Sequence, residues 1–223
     1  DESMIVQENA MYALGTLSKT KDGRAAVDEA GAIEAIVLGL DSYQDEQAYI
    51  EKAMRALFFI GQDNPSAKST MMESGMANVV AQILEKHRTH TGLIEAVGGL
   101  ISTMLEKDGK SPTRAKKALD DLVGDSIFTL LLDILDSFST EVSLNRVILG
   151  IFSNFGLLAG KDAELVKRAG FISSAASAAD EDDNTGVKRI IDAMRLHSRS
   201  MDIMESGCNA IWCLAKAEPR LKP

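Results

Sequence analysis

A chain of 223 residues, 45% hydrophobic and 5% aromatic, carries enough apolar material for one ordinary domain or one short solenoid with a continuous core. Its formal net charge of −9, with the acid excess mainly before Ser111, argues against nucleic acid or an anionic membrane surface as the main partner. Basic or hydrophobic protein partners are favoured instead.

The apolar residues follow helical rather than alternating spacing. The first helix is predicted over Ser3 to Leu17, with Ile5, Ala10, Ala13, Leu14 and Leu17 on its buried side. Asp22 and Gly23 are expected to break it. A short helix from Arg24 to Ala30 then ends at Gly31, a left-handed cap. Ile33 to Leu40 and Glu46 to Gly61 complete a short, medium and long series. The series restarts at Asn64 and Pro65, an N-cap with proline at the first helical position, and runs to Gly75. Met76 to His87 and Gly92 to Leu105 follow. After the loop-like stretch 107–112, Pro112 opens a helix reaching Gly124, then Ile127 to Leu135 and Val142 to Leu158. Glu164 to Gly170 is the next short helix. Phe171 to Ala179 reads as a weak helix ahead of the acidic stretch 180–184. Val187 to His197 and Met201 to Lys216 form a clear final pair.

Taking Gly31, Gly75, Gly124 and Gly170 as equivalent gives a period of about 44–49 residues, near the ~40–47 of stacked helical repeats. On that count the last pair arrives early, so the last repeat is expected to be irregular or shortened. A unit of two or three helices cannot bury its apolar face alone and must stack on copies of itself. Both ends fall in mid-repeat and the chain opens on Asp1, so a cut within a longer array is expected, with any lipid anchor or targeting segment outside it.

The segments Ala30-Gly31-Ala32-Ile33, Val6-Gln7-Glu8 with Ala13-Leu14, Ala53 with Ala56-Leu57, and Gly207-Cys208 with Cys213-Leu214-Ala215 resemble the armadillo repeat family. The final pair, from Ile191 through His197 to Cys208, is similar to a subgroup of stand-alone armadillo proteins and the armadillo region of leucine-rich-repeat kinases. The resemblance covers essentially the whole chain. It implies an all-α, right-handed α-solenoid of four to five three-helix repeats over residues 1–223, with third helices lining a concave groove.

Aligning the third helices on their Ala-x-x-Ala-Leu cores places five residue pairs at the family's groove positions. They are Tyr12 and Thr16, Arg55 and Phe59, Gly98 and Ser102, Gly150 and Asn154, and Asn209 and Cys213. Nuclear-import adaptors in this family use a Trp and an Asn at such positions. Here Asn154 alone matches, and Trp212 is displaced by three residues to the groove edge or into packing, so a lysine-reading ladder is absent. One turn upstream stand Glu8, Glu51, Ile94, Arg146 and Glu205, which read either as an acidic rim for a basic or amphipathic peptide or as a plain solvated face. Gly98 and Gly150 either open the groove centre or let neighbouring helices pack closely.

Signals of chemistry are weak. Residues 156–162 are one residue short of a phosphate loop and follow a helix. His87 and His90 have metal-compatible spacing without a third ligand and read as surface histidines. The acidic stretch 180–184 lacks the spacing and glycine of a calcium loop. Cys208 and Cys213, about 140° apart around one helix, cannot pair within it. They read as packing residues in a reducing, cytoplasmic setting. Ser111 before Pro112 is a candidate phosphosite, with a helix start as the plainer account. No cofactor or metal is expected. The function implied is a non-enzymatic scaffold or adaptor binding a protein segment in the groove. The alternatives are a regulatory region of a larger enzyme such as a leucine-rich-repeat kinase, and a chaperone or exchange factor gripping a folded client.

Overall fold

The computed structural model describes residues 2–109, 112–172 and 186–217. Ser111, the acidic stretch 180–184 and the weak helix expected after Phe171 lie outside the described residues. Every regular element among them is helical, in the order α1 (Glu2–Leu17), α2 (Lys21–Glu29), α3 (Ala32–Ser42), α4 (Gln47–Gly61), α5 (Pro65–Glu73), α6 (Met76–Lys86), α7 (Thr91–Leu105), α8 (Thr113–Gly124), α9 (Ile127–Ser137), α10 (Val142–Ala159), α11 (Ala163–Arg168), α12 (Gly186–Leu196) and α13 (Met201–Ala217). The chain divides into two compact units, Asp1–Arg114 and Ala115–Pro223.

In the first unit the long helices α1, α4 and α7 pack side by side in chain order, while α3 packs on α6. That is the stacking of equivalent helices from successive repeats. Local signals set the breaks. The Thr20 hydroxyl accepts from the amide of Gly23 at 3.1 Å and caps α2, so Asp22 and Gly23 lie inside this helix rather than breaking the chain. An acid in the first turn also suits the helix dipole. Asn64 caps α5 ahead of Pro65, accepting from Ala67 at 3.2 Å.

The buried stripe of α1 differs from expectation. Met11, Gly15 and Ser18 are buried, whereas Ile5, Ala10, Ala13 and Leu17 are exposed. Spacing of i, i+4 and i+7 puts Met11, Gly15 and Ser18 on one face. A Cβ at Gly15 would stand 3.4 Å from the Cα of Ala56, so the bare glycine is what lets α1 lie close on α4.

In the second unit α10 packs on α13 and α9 on α12, the same like-on-like stacking. Packing on α9 makes α12 the second helix of its repeat, with α11 as the first and α13 as the third. The last repeat is therefore a full three-helix unit. The amides of Gly186 and Val187 donate to the carbonyls of Gly170 and Phe171 at 3.2 and 3.3 Å. These bonds start α12 where α3 and α6 start directly after Gly31 and Gly75. With α12 starting at Gly186 rather than directly after Gly170, this repeat is irregular, as expected, though not shortened. By length and apolar content α10 matches a short membrane span, yet over half of it is buried against α9, α11 and α13, as befits a core helix.

Left-handed backbone recurs before the second helix of three repeats, at Gly31 (φ 73°), Gly75 (φ 73°) and Ser126 (φ 59°). Gly124, the position expected from sequence, sits in α8 instead. Ser126 is exposed and makes no capping bond, so its side chain brings left-handed strain without a compensating contact. Ser126→Gly is expected to stabilise by about 0.5–1 kcal/mol, seen as a higher urea midpoint. An unchanged or lower midpoint would contradict the strain.

Two histidines tie successive repeats together. His87 Nε2 lies 2.9 Å from the carbonyl oxygen of Gln44, in the turn after α3. His197 Nε2 stands in the same relation, 2.6 Å from the carbonyl oxygen of Ser139 after α9. His87 is thus buried and structural, not a surface histidine. His90 caps α7, its Nδ1 accepting from the amide of Leu93 at 3.2 Å. Neither geometry leaves the pair facing a common metal.

Candidate functional site

Five of the sequence-expected groove residues meet in one place. Tyr12, Thr16, Glu51, Arg55 and Phe59 line a cleft of about 350 Å³ between α1 and α4, together with Met11, Gly15, Lys19, Lys52 and Ala56. Its floor follows from the close approach of Gly15 to Ala56, two small residues with Met11 beside them. Larger side chains rise on either side. Tyr12 is 67% exposed, and the Lys19 ammonium stands 5.6 Å from the centroid of the Phe59 ring. Thr16 turns its hydroxyl back to the carbonyl of Tyr12 at 2.9 Å and offers little hydrogen bonding to a ligand beyond its oxygen lone pairs.

Of the two readings of the acids upstream of the groove positions, pairing within the protein favours the plain face at this cleft. Glu8 pairs with the ammonium of Lys52, and Glu51 holds the Arg55 guanidinium at 2.8 Å. Both acids of the first unit's rim are therefore neutralised within the protein. Lys19 has no carboxylate within 4 Å among the described residues and supplies the unbalanced charge.

Further along, Gly98 is buried within α7 and Ser102 is half-buried. Phe58 lies against Gly99, 3.4 Å from where a Cβ would stand, and fills the α4–α7 junction. In the second unit Gly150 does open space, since a Cβ there would meet nothing within 4 Å. Asn154 is half-buried, and Glu205 and Asn209 are exposed. Arg146 reaches Asp202 at 3.6 Å. Cys213 is buried under Gly156, where an added Cβ would come within 2.5 Å of its own, so it belongs to the α10–α13 packing and not to a groove. Trp212 is 59% exposed and stacked under the Lys216 ammonium, 3.0 Å from the ring centroid.

A second cleft, of about 320 Å³, was not anticipated. It lies between α3 and α6, floored by Val37, Leu40 and Ile83 with Leu38 70% exposed at its edge. Lys86 on its rim pairs with Asp45 at 2.7 Å, and this hydrogen bond and charge hold the Asp45 carboxyl below its ordinary value. The sequence signal was present, as apolar residues at 37, 38, 40, 79 and 83 exceed what one buried stripe of each helix needs.

Short, medium and long helices stacked like on like define a helical repeat protein, and its surface features are clefts between equivalent helices. Two engineered proteins of known crystal structure share the fold, with TM-scores of 0.71 and 0.69 over 93% and 94% of this chain. This chain spans 72% and 74% of them at 16% and 15% identity, a likeness of fold alone. Among curated proteins, the Armadillo repeat-containing protein 6 homolog of Drosophila melanogaster is similar to this chain, 28% identical over 100 residues, 44% of its length. That stretch is 21% of the relative, so the match spans about a fifth of its length. No family model matches the chain.

Proposed function

We propose that this repeat protein is a non-enzymatic scaffold that holds an extended segment of another protein in the cleft between α1 and α4. The carrying observation is the convergence of Tyr12, Arg55 and Phe59 over a small-residue floor. Exposed Tyr and Arg around a concave apolar floor are the side chains that dominate binding energy at protein interfaces. A helical repeat frame keeps them rigid, so little ordering cost falls on the binder.

Replacing Tyr12 and Arg55 together by Ala should leave helical content unchanged, because both are exposed. Partner retention from cell extract should fall roughly thirtyfold, the equivalent of losing about 2 kcal/mol at two anchor residues. Quantitative mass spectrometry of proteins held on immobilised wild-type and variant chains measures this. Undiminished retention would move the interaction to another face, with the α3–α6 cleft next in order.

A further inference from the structure

We propose that the α1–α4 cleft selects a segment in which an aromatic or long apolar residue and an acidic one stand two positions apart, in either order. This rests on the groove reading above and specifies its ligand. Charge comes first. Four charged residues line the cleft, Lys19, Lys52, Arg55 and Glu51, so cations outnumber anions three to one. The acids nearby are committed: Glu51 to Arg55, and Glu8 to Lys52. A basic ligand would have to break one of these pairs to find a carboxylate. An acidic ligand finds the Lys19 ammonium with no competing carboxylate within 4 Å among the described residues, already placed against the Phe59 ring. The chain's overall charge of −9 opposes acidic ligands at long range. At physiological salt, however, fields are screened beyond about 8 Å, so the cations in the cleft govern a docked side chain.

Spacing comes second. Gly15 and Ala56 leave the floor flat and bare, with Tyr12 and Phe59 as walls, which is room for a ring or a long aliphatic chain. Lys19 lies in the turn just past the end of α1, and its ammonium stands 5.6 Å from the centroid of the Phe59 ring that walls the floor. In an extended peptide, side chains on the same face recur every second residue, about 6.6 Å apart. A ring on the floor therefore places the acidic side chain of its second neighbour at Lys19. Edge contact of that ring with Phe59 and Tyr12 adds apolar and aromatic attraction.

The test is selection of a random twelve-residue peptide library displayed on phage against the immobilised chain. The Tyr12→Ala, Arg55→Ala double variant, checked for wild-type helicity, serves as background. The expected outcome is an enriched set carrying an aromatic residue and an Asp or Glu two positions apart, in either order. A synthetic peptide from that set should bind the Lys19→Glu variant about fivefold more weakly, the scale of one exposed ion pair. Exchanging the peptide's acid for Lys should restore binding to Lys19→Glu while weakening it to wild type. An enriched set dominated by Lys and Arg, or an acidic set indifferent to Lys19→Glu, overturns the acidic specificity and leaves the groove reading standing. Enrichment equal on the double variant, or none above it, overturns both.

Discussion

Phe128→Ala is expected to destabilise the second unit by about 4 kcal/mol, the upper range for truncating a buried aromatic. The Phe128 ring is fully buried, with centroids 4.7 Å from Phe155, 6.1 Å from Phe171 and 6.4 Å from Phe152. Phe171 in turn meets Phe152 edge-on at 5.0 Å and Phe155 at 4.8 Å. Each remaining ring is thus braced by the others, and the space left by Phe128 closes poorly. Cavity cost adds to the lost burial, with the aromatic contacts worth about 0.5–1.5 kcal/mol per pair beyond area. Phe128→Leu fills most of the space and should cost much less than Ala. Urea denaturation separates the two. A second readout follows from the backbone: Phe171's carbonyl accepts the Val187 amide, so amide exchange at the start of α12 should quicken in the Ala variant. Equal losses for Leu and Ala would mean that the ring cluster holds less of the unit together than its geometry indicates.

The same cluster shows where the sequence was legible. Val142 to Leu158 was readable as a long apolar helix, and Phe152 and Phe155 fall on its buried side by spacing alone. That Phe171 belongs with them was not readable. It depends on residues 171 and 187 being joined by a backbone hydrogen bond across the intervening chain. Repeat register failed for the same kind of reason at Ser126. A glycine marks the left-handed position at Gly31 and Gly75, and the eye takes Gly124 as the next, but the third repeat places a serine there. The buried side of α1 was misjudged because its larger apolar residues, Ile5, Val6 and Leu17, are the exposed ones. Small residues can mark a tight helix contact better than large ones do.

At the cleft, alignment of the third helices named Tyr12, Thr16, Glu51, Arg55 and Phe59, which line one cleft because positions at i and i+4 share a helix face. It missed Lys19, in the turn just past α1, and Lys52, on α4, which also line the cleft. Its acidic rim was also half a picture. Glu8 and Lys52 are 44 residues apart, and a pair so distant is invisible to local spacing. The frame was legible from periodicity; the electrostatics of the surface required the packing.

Asp108→Ala should be the most damaging single charge change in the first unit, at about 3 kcal/mol, because it removes a partner from two buried cations. Lys68 is 2% exposed overall, and its ammonium lies 2.8 Å from Glu106 and 3.9 Å from Asp108. The Arg114 side chain is 11% exposed, and its Nη2 meets Asp108 at 3.2 Å. Arg114 also donates to the backbone carbonyls of Met104, at 2.8 Å, and Glu106. Asp108 is the carboxylate shared by both cations, while Glu106, 50% exposed, is the partner that water most readily replaces. The cost of the mutation therefore lies in stranding charge more than in losing attraction. Removing the stranded charge should recover stability, so Lys68→Met, which keeps the aliphatic stem, should cost less in the Asp108→Ala background than in the wild type. Glu106→Gln alone should cost under about 1 kcal/mol, as an exposed partner does. A double-mutant cycle by chemical denaturation reads the coupling directly. Strict additivity between Asp108→Ala and Lys68→Met would show that the two groups are energetically independent and that the buried ammonium is satisfied by Glu106 alone.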